Sequence, residues 1–255
     1  MELIRKIFLV VKYMVDLLNE EILELVNSNA SNTMGSYSKK SFDIEKENNP
    51  SDLQFWDTTF VSDMDYLFSN SNFNHDLTCW NVSNVENMEC MFQNSRFNSD
   101  ISCWNVSNVK TMSNMFNNSE FNGDISCWDV SNVTLMIGMF YKSKFQGNIS
   151  SWDVSNVKNM FAMFSYSIFN GDISSWDVSN VENMCSMFQK SLFNGDISNW
   201  DVSNVKKINY IFYNSKFQGN ISKWKFNSLE NYSTMFSKST ICEVYITPNW
   251  YFLDN

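Results

Sequence analysis

The stretch Phe169-Asn170-Gly171-Asp172-Ile173-Ser174-Ser175-Trp176-Asp177-Val178-Ser179-Asn180-Val181-Glu182-Asn183-Met184-Cys185-Ser186-Met187-Phe188-Gln189-Lys190-Ser191-Leu192 decides the architecture, because its pattern returns along most of the chain. Tryptophan sets the step. Trp56, Trp80, Trp104, Trp128, Trp152, Trp176, Trp200 and Trp224 are each 24 residues apart. Phe73 to Phe217 and Phe68 to Phe236 keep the same step in two further phases. A fixed period of this size means stacked units that bury their apolar faces only against their neighbours.

Each unit reads as two halves. Asn170-Gly171-Asp172 has the composition of a turn, with glycine free to take positive φ and Asn and Asp able to bond their own backbone. Ile173 to Val178, with its Ile, Trp and Val, suits a brief strand. Ser179 stands where a helix cap belongs and Glu182 completes a capping box, as do Ser83 and Glu86. Val181, Met184, Met187 and Phe188 fall on one face of a helix. The apolar phases hold from unit to unit, whereas the phase of Glu86, Lys110, Thr134, Lys158, Glu182, Lys206 and Glu230 drifts as a solvent-facing position does. The expected fold is thus α/β: a solenoid of eight 24-residue strand-turn-helix repeats over residues 53–240, with parallel strands on one side and short helices on the other.

The flanks differ. Residues 1–26 read as an amphipathic cap helix, with Leu3, Ile7, Val11, Met14 and Leu18 opposite Glu2, Arg5, Lys12, Asp16, Asn19 and Glu20. Membrane-surface or partner contact by residues 2–26 is the less favoured alternative. Residues 27–52 are polar and read as a linker, and 241–255 as a C-terminal cap. Charge breaks up every apolar run before it could span a bilayer, and no signal-peptide cleavage pattern follows the apolar segment near the start. Six cysteines without a Cys-x-x-Cys pair, and one histidine, give no zinc spacing. Together these features favour an intracellular setting.

A formal net charge of −10 with singly scattered Lys and Arg argues against a nucleic-acid partner. Asp129, Asp153, Asp177 and Asp201 share one phase and would stack; Asn81 and Asn105 hold the same phase, so the shared requirement reads as hydrogen bonding within the turn, with calcium binding as the alternative. Cys79, Cys103 and Cys127 also share a phase, an odd set that cannot all pair, and are expected as free thiols. His75 replaces the turn glycine in one unit and is expected to be a turn residue. Each repeated serine and methionine already has a structural role, which leaves no nucleophile, base or ligand set. No cofactor is expected. The one outward apolar cluster is Ile137, Tyr141, Phe161, Tyr166 and Ile168, the expected partner-binding patch.

The phases Trp-Asp-Val-Ser-Asn-Val and Met-x-x-Met-Phe, as in residues 193–205 and 184–188, resemble the BspA-like, or DUF285, repeat family, which has members in mycoplasmas, other bacteria, protists and large DNA viruses of amoebae. The resemblance implies a leucine-rich-repeat-like solenoid with adhesion or protein binding and no catalytic residues. The function expected is a non-enzymatic protein-interaction scaffold, and the alternative is a structural, surface or virion component with an adhesive role.

Overall fold

A computed structural model describes residues 57–230, 232 and 234–239. The chain divides into two units, Met1–Lys40 and Ser41–Asn255, and every described residue lies in the second. The expected cap helix over 1–26, the linker over 27–52 and the C-terminal cap over 241–255 lie outside the described residues.

The units stack as coils, numbered here 1 to 8 by their described residues: 57–72, 73–96, 97–120, 121–144, 145–168, 169–192, 193–216 and, in coil 8, the described residues from 217 to 239. In-register parallel bridges join coils 1 to 7 in turn: Asp63 to Asn87, Thr111, Leu135, Asn159, Asn183 and Lys207. These bridges are isolated pairings, and the described residues contain neither a helix nor an extended strand. The α/β strand-turn-helix solenoid is therefore overturned. The repeat is a train of turns whose backbone bonds run to the next coil.

Coil 6 shows why. The amides of Met184, Ser186, Phe188 and Lys190 donate to Lys207, Asn209, Ile211 and Tyr213 of coil 7, at 2.8–2.9 Å. The alternate amides of Met187, Gln189 and Ser191 close turns on Met184, Ser186 and Phe188, three residues back. An α-helix needs every amide to reach the carbonyl four residues back. Ser186 and Lys190 also have φ of 58° and 52°, and other coils repeat left-handed residues at these two phases. A helix this short would leave four amides and four carbonyls unbonded at its ends, about as many as it satisfied. The turn train shares its groups between the coil itself and its neighbour. Ser179, the expected cap, donates its amide to Asp177 Oδ1 at 3.0 Å, and Glu182 reaches sideways to Lys206 Nζ at 2.7 Å.

The expected inward rows are all in the core. Trp176, Val178, Val181, Met184, Met187, Phe188, Phe169 and Ile173 are buried, as are their counterparts in coils 2 to 5, and Ile208 and Ile211 take the methionine places in coil 7. The rings run as near-parallel ladders. Phe92, Phe116, Phe140, Phe164 and Phe188 stack with centroids 5.6–5.9 Å apart, offset in the way aromatic quadrupoles favour. Phe97 to Phe217 form a parallel ladder beside them at 6.2–6.5 Å. From Trp104 to Trp224 each buried indole finds an acceptor in the preceding coil: Trp128 Nε1 donates to Ile101 O at 3.1 Å and Trp176 Nε1 to Ile149 O at 3.0 Å.

Polar side chains also tie coil to coil. Asn132 Nδ2 donates to Ser107 O and Asn156 Nδ2 to Ser131 O at 2.8 Å, Asn180 Nδ2 to Ser155 O at 2.7 Å, and the same bond recurs at Asn84, Asn108 and Asn204. The turn glycines have no positive φ; each sits close against the phenylalanine of its own coil, although coils 2 and 3 place His75 and Ser99 at the same phase. A Cβ on Gly171 would lie 2.8 Å from the ring of Phe169.

Candidate functional site

The left-handed turns are where the coils differ; their second phase is exposed, while their first ranges from buried Cys90 to exposed Tyr66. At the first left-handed phase, Tyr66, Cys90 and Asn114 in coils 1 to 3 give way to Gly138, Ala162 and Ser186 in coils 4 to 6. One residue earlier, Asp65, Glu89 and Ser113 give way to Ile137 and Phe161. Loss of bulk in one row beside apolar groups in the other opens a shallow groove of about 390 Å³. Ile137 and Phe161 line it with Gly138, Ala162, Tyr141 and Tyr166, and the amides of Asn114, Asn117 and Gln189 and the hydroxyls of Ser165 and Ser186 complete it.

Gly138 shares its φ of +56° with non-glycine residues at the same phase, such as Ala162 and Ser186, and what sets it apart is crowding: a Cβ there would lie 2.5 Å from Asn114 Oδ1, which accepts a bond from Asn117 Nδ2 at 2.9 Å. Tyr141 and Tyr166 pack with centroids 5.6 Å apart and planes tilted by 57°. Lys142 Nζ stands 5.3 Å from the Tyr141 ring and 5.6 Å from that of Tyr166, and Lys190 Nζ 4.7 Å from Tyr166. This cation-over-ring geometry favours the charged ammonium, and bonding to Tyr166 raises the pKa of Lys190.

Four of the five patch residues expected from sequence meet in this groove: Ile137, Tyr141, Phe161 and Tyr166. Phe161 and Tyr166 keep 42% and 38% of their surface exposed. Ile168 is exposed too, at 38%, but does not line the groove. Sequence reasoning missed Gly138, Ala162, Ser186, Lys142 and Lys190. Their signal was legible in the same phase comparison: three successive small residues where coils 1 to 3 and 7 place Tyr, Cys or Asn, and two lysines where those coils place Asn.

The remaining candidates resolve locally. Asp129, Asp153, Asp177 and Asp201 each accept the amide two residues on, at 3.0–3.1 Å. Asn81 and Asn105 make the same bond at 3.1 Å. The bonds from Ser155 and Ser203 hold the Asp153 and Asp201 carboxyls below the usual range. Among the described residues no three His, Cys, Asp or Glu side chains are grouped to hold a metal.

Cys79, Cys103 and Cys127 are exposed free thiols, and Cys103 Sγ lies 3.5 Å from Thr78 O. Cys90 is buried, and desolvation pushes its thiol up to about 11, the opposite of an activated nucleophile. His75 is exposed with its ring 5.3 Å from that of Phe73. No described helix is long and apolar enough to cross a membrane.

The groove itself offers apolar contact, stacking, hydrogen bonding and positive charge at its rim. No curated protein and no solved structure matches the chain. The family described as "Mycoplasma protein of unknown function, DUF285" matches residues 36–146, 96–168 and 136–250, overlapping spans that cover most of the sequence, and the chain belongs to that family.

Proposed function

We propose that the protein is a non-enzymatic interaction scaffold that takes a protein partner along the outward turn strip of coils 4 to 6. One observation carries this reading. The interior rows keep their residue types from coil to coil, yet in these three coils adjoining outward phases change together to make a groove with exposed aromatic rims. Packing does not require that change, since coils 2 and 3 stack on the same interior without it. Exposed, clustered aromatic and aliphatic groups are what contact surfaces use.

The test is affinity capture with mass spectrometry, comparing the unaltered chain with the Phe161→Asp, Tyr141→Asp double variant. The expected outcome is loss of partner capture with the melting temperature changed by no more than a few degrees. Capture unchanged by the double variant removes the groove from the function.

A second reading is favoured by the unbroken aromatic ladders and by the resemblance of the Trp-Asp-Val-Ser-Asn-Val repeats to BspA-like surface proteins: a structural or adhesive component in which repetition is itself the function. Recovery of the protein in purified particle or surface fractions supports this reading, and a purely cytosolic pool counts against it.

A further inference from the structure

Lys142, Tyr166 and Lys190 break a local rule that coils 1 to 3 and coil 7 obey. The corresponding residues there are Asn70, Asn94, Asn118 and Asn214, all at φ of 52–57°; coil 8 also departs, with Lys238 at φ 58° and its ammonium 5.6 Å from the Tyr213 ring. Asparagine tolerates that conformation better than most side chains, and a bulky aromatic there is an outlier. The asparagines also bond one another, Asn94 Nδ2 to Asn70 Oδ1 and Asn118 Nδ2 to Asn94 Oδ1, both at 2.9 Å. Coils 4 to 6 give up both advantages, with Lys142, Tyr166 and Lys190 at φ of 53°, 58° and 52°. Ring and ammonium contacts among Tyr141, Lys142, Tyr166 and Lys190 offset part of that loss, and departures from local preference concentrate at functional or strained positions.

The charge pattern says what the departure serves. The chain carries a net −10, yet no carboxylate lines the groove. Lys110, Lys144 and Lys206 each pair with a glutamate one coil back, Glu86, Glu120 and Glu182. Among the described residues Lys142 and Lys190 have no carboxylate partner, and both ammonium groups converge on the single ring of Tyr166. Two like charges drawn to one ring repel each other, and an anion between them relieves the repulsion. Below them, Ile137 and Phe161 border a floor of Gly138 and Ala162 that has room for an apolar side chain. Asn114, Asn117 and Gln189 present amides at the same groove.

We propose, building on the interaction reading above, that the groove's occupant is an acidic peptide segment of a partner protein, seating an apolar or aromatic side chain over Gly138 and Ala162 and placing flanking carboxylates against Lys142 and Lys190. The groove amides bond its backbone. Positive rim and acidic ligand are electrostatically complementary, which sets selectivity and association rate more than affinity.

The test uses a random peptide library displayed on phage and selected on the full chain, followed by titration of the leading synthetic peptide. Selected peptides are expected to carry Asp or Glu flanking a Phe, Trp or Leu. Lys142→Gln with Lys190→Gln is expected to weaken the leading peptide by roughly tenfold, as two exposed ion pairs allow, with the loss shrinking in high salt. Lys142→Asn with Lys190→Asn, which restores the residue type of the neighbouring coils, is expected to do the same in a chain that melts no lower. Peptides with no acidic bias, or binding lost in Phe161→Asp but untouched by both lysine pairs, overturn the acidic occupant and leave the interaction reading standing. Absence of any peptide whose binding depends on Phe161 defeats both. A dimer in solution that Phe161→Asp dissolves also overturns the proposal, in favour of a second copy of this chain.

Discussion

Coils 1 to 3 and coils 4 to 6 are the same object inside and different objects outside. Both sets stack Trp, Phe, Met and Val on their counterparts, close the same turns and lend the same amides to the next coil. Their outward strips diverge: Asp65, Glu89 and an asparagine ladder on one, Ile137, Phe161 and two lysines over the Tyr166 ring on the other. The interior admits only apolar exchanges such as Ile208 and Ile211 for methionine, because each ring touches its copies above and below, so one change disturbs two interfaces. The outer turns carry less of that burden, and their residue types are free to differ from coil to coil.

The largest effect should come from breaking what the two sets share. Phe140→Ala removes a fully buried ring that stacks on Phe116 and Phe164, and should cost about 3–5 kcal/mol. Chemical denaturation of the variant checks it, and a cost below about 1 kcal/mol would mean the ladders are not tightly packed. A middle-sized effect of opposite sign should come from erasing the difference. Changing Lys142, Tyr166 and Lys190 all to Asn gives coils 4 to 6 the turn residue of coils 1 to 3, and should stabilise the chain by up to roughly 1 kcal/mol per site as left-handed strain is relieved. A lower melting temperature would show that those three side chains contribute more to stability than the asparagines do.

The smallest effect is shared again. Asp100, Asp124, Asp172 and Asp196 accept the amides of Ser102, Ser126, Ser174 and Ser198 at 2.9 Å, and these bonds lower each carboxyl pKa from 3.8. A folded pKa below the unfolded one contributes stability above the unfolded value, and that stability is lost as pH falls through the folded value. Melting temperature should therefore decline modestly below pH 3.8, evenly across both sets of coils. Replacing the four aspartates with Asn should flatten the decline, since Asn148 and Asn220 already accept the same bond at 2.9–3.0 Å.

The interior was legible because a period of 24 assigns every residue a row, and burial fixes the residue type of a row. The helix was not, for a physical reason. Val181, Met184, Met187 and Phe188 return inward every three or four residues, and a train of tight turns imposes nearly the same spacing as a helix face. What separates the two is the sign of φ at Ser186 and Lys190, to which apolar periodicity is blind. Asn70, Asn94, Asn118 and Asn214 at one phase carried the clue, being side chains that accept a left-handed backbone. The glycine reading erred likewise: Gly171 yields space to Phe169, a contact no local pattern reveals. For the groove, the apolar members Ile137, Tyr141, Phe161 and Tyr166 stood out as exceptions in drifting rows. Gly138 and Ala162 did not, because what they contribute is an absence of bulk. Ile168 was grouped with them by proximity in sequence, and lies beyond the groove lining.

The indole of each tryptophan from Trp104 to Trp224, bonded to a carbonyl 27 residues earlier, recognises only that a preceding turn exists and not which one it is. Excising or duplicating 24 residues anywhere in the middle would regenerate an identical junction. Unequal recombination between such tandem segments can therefore lengthen or shorten this protein without retooling its interior, while the position of a recognition strip along the array is free to migrate.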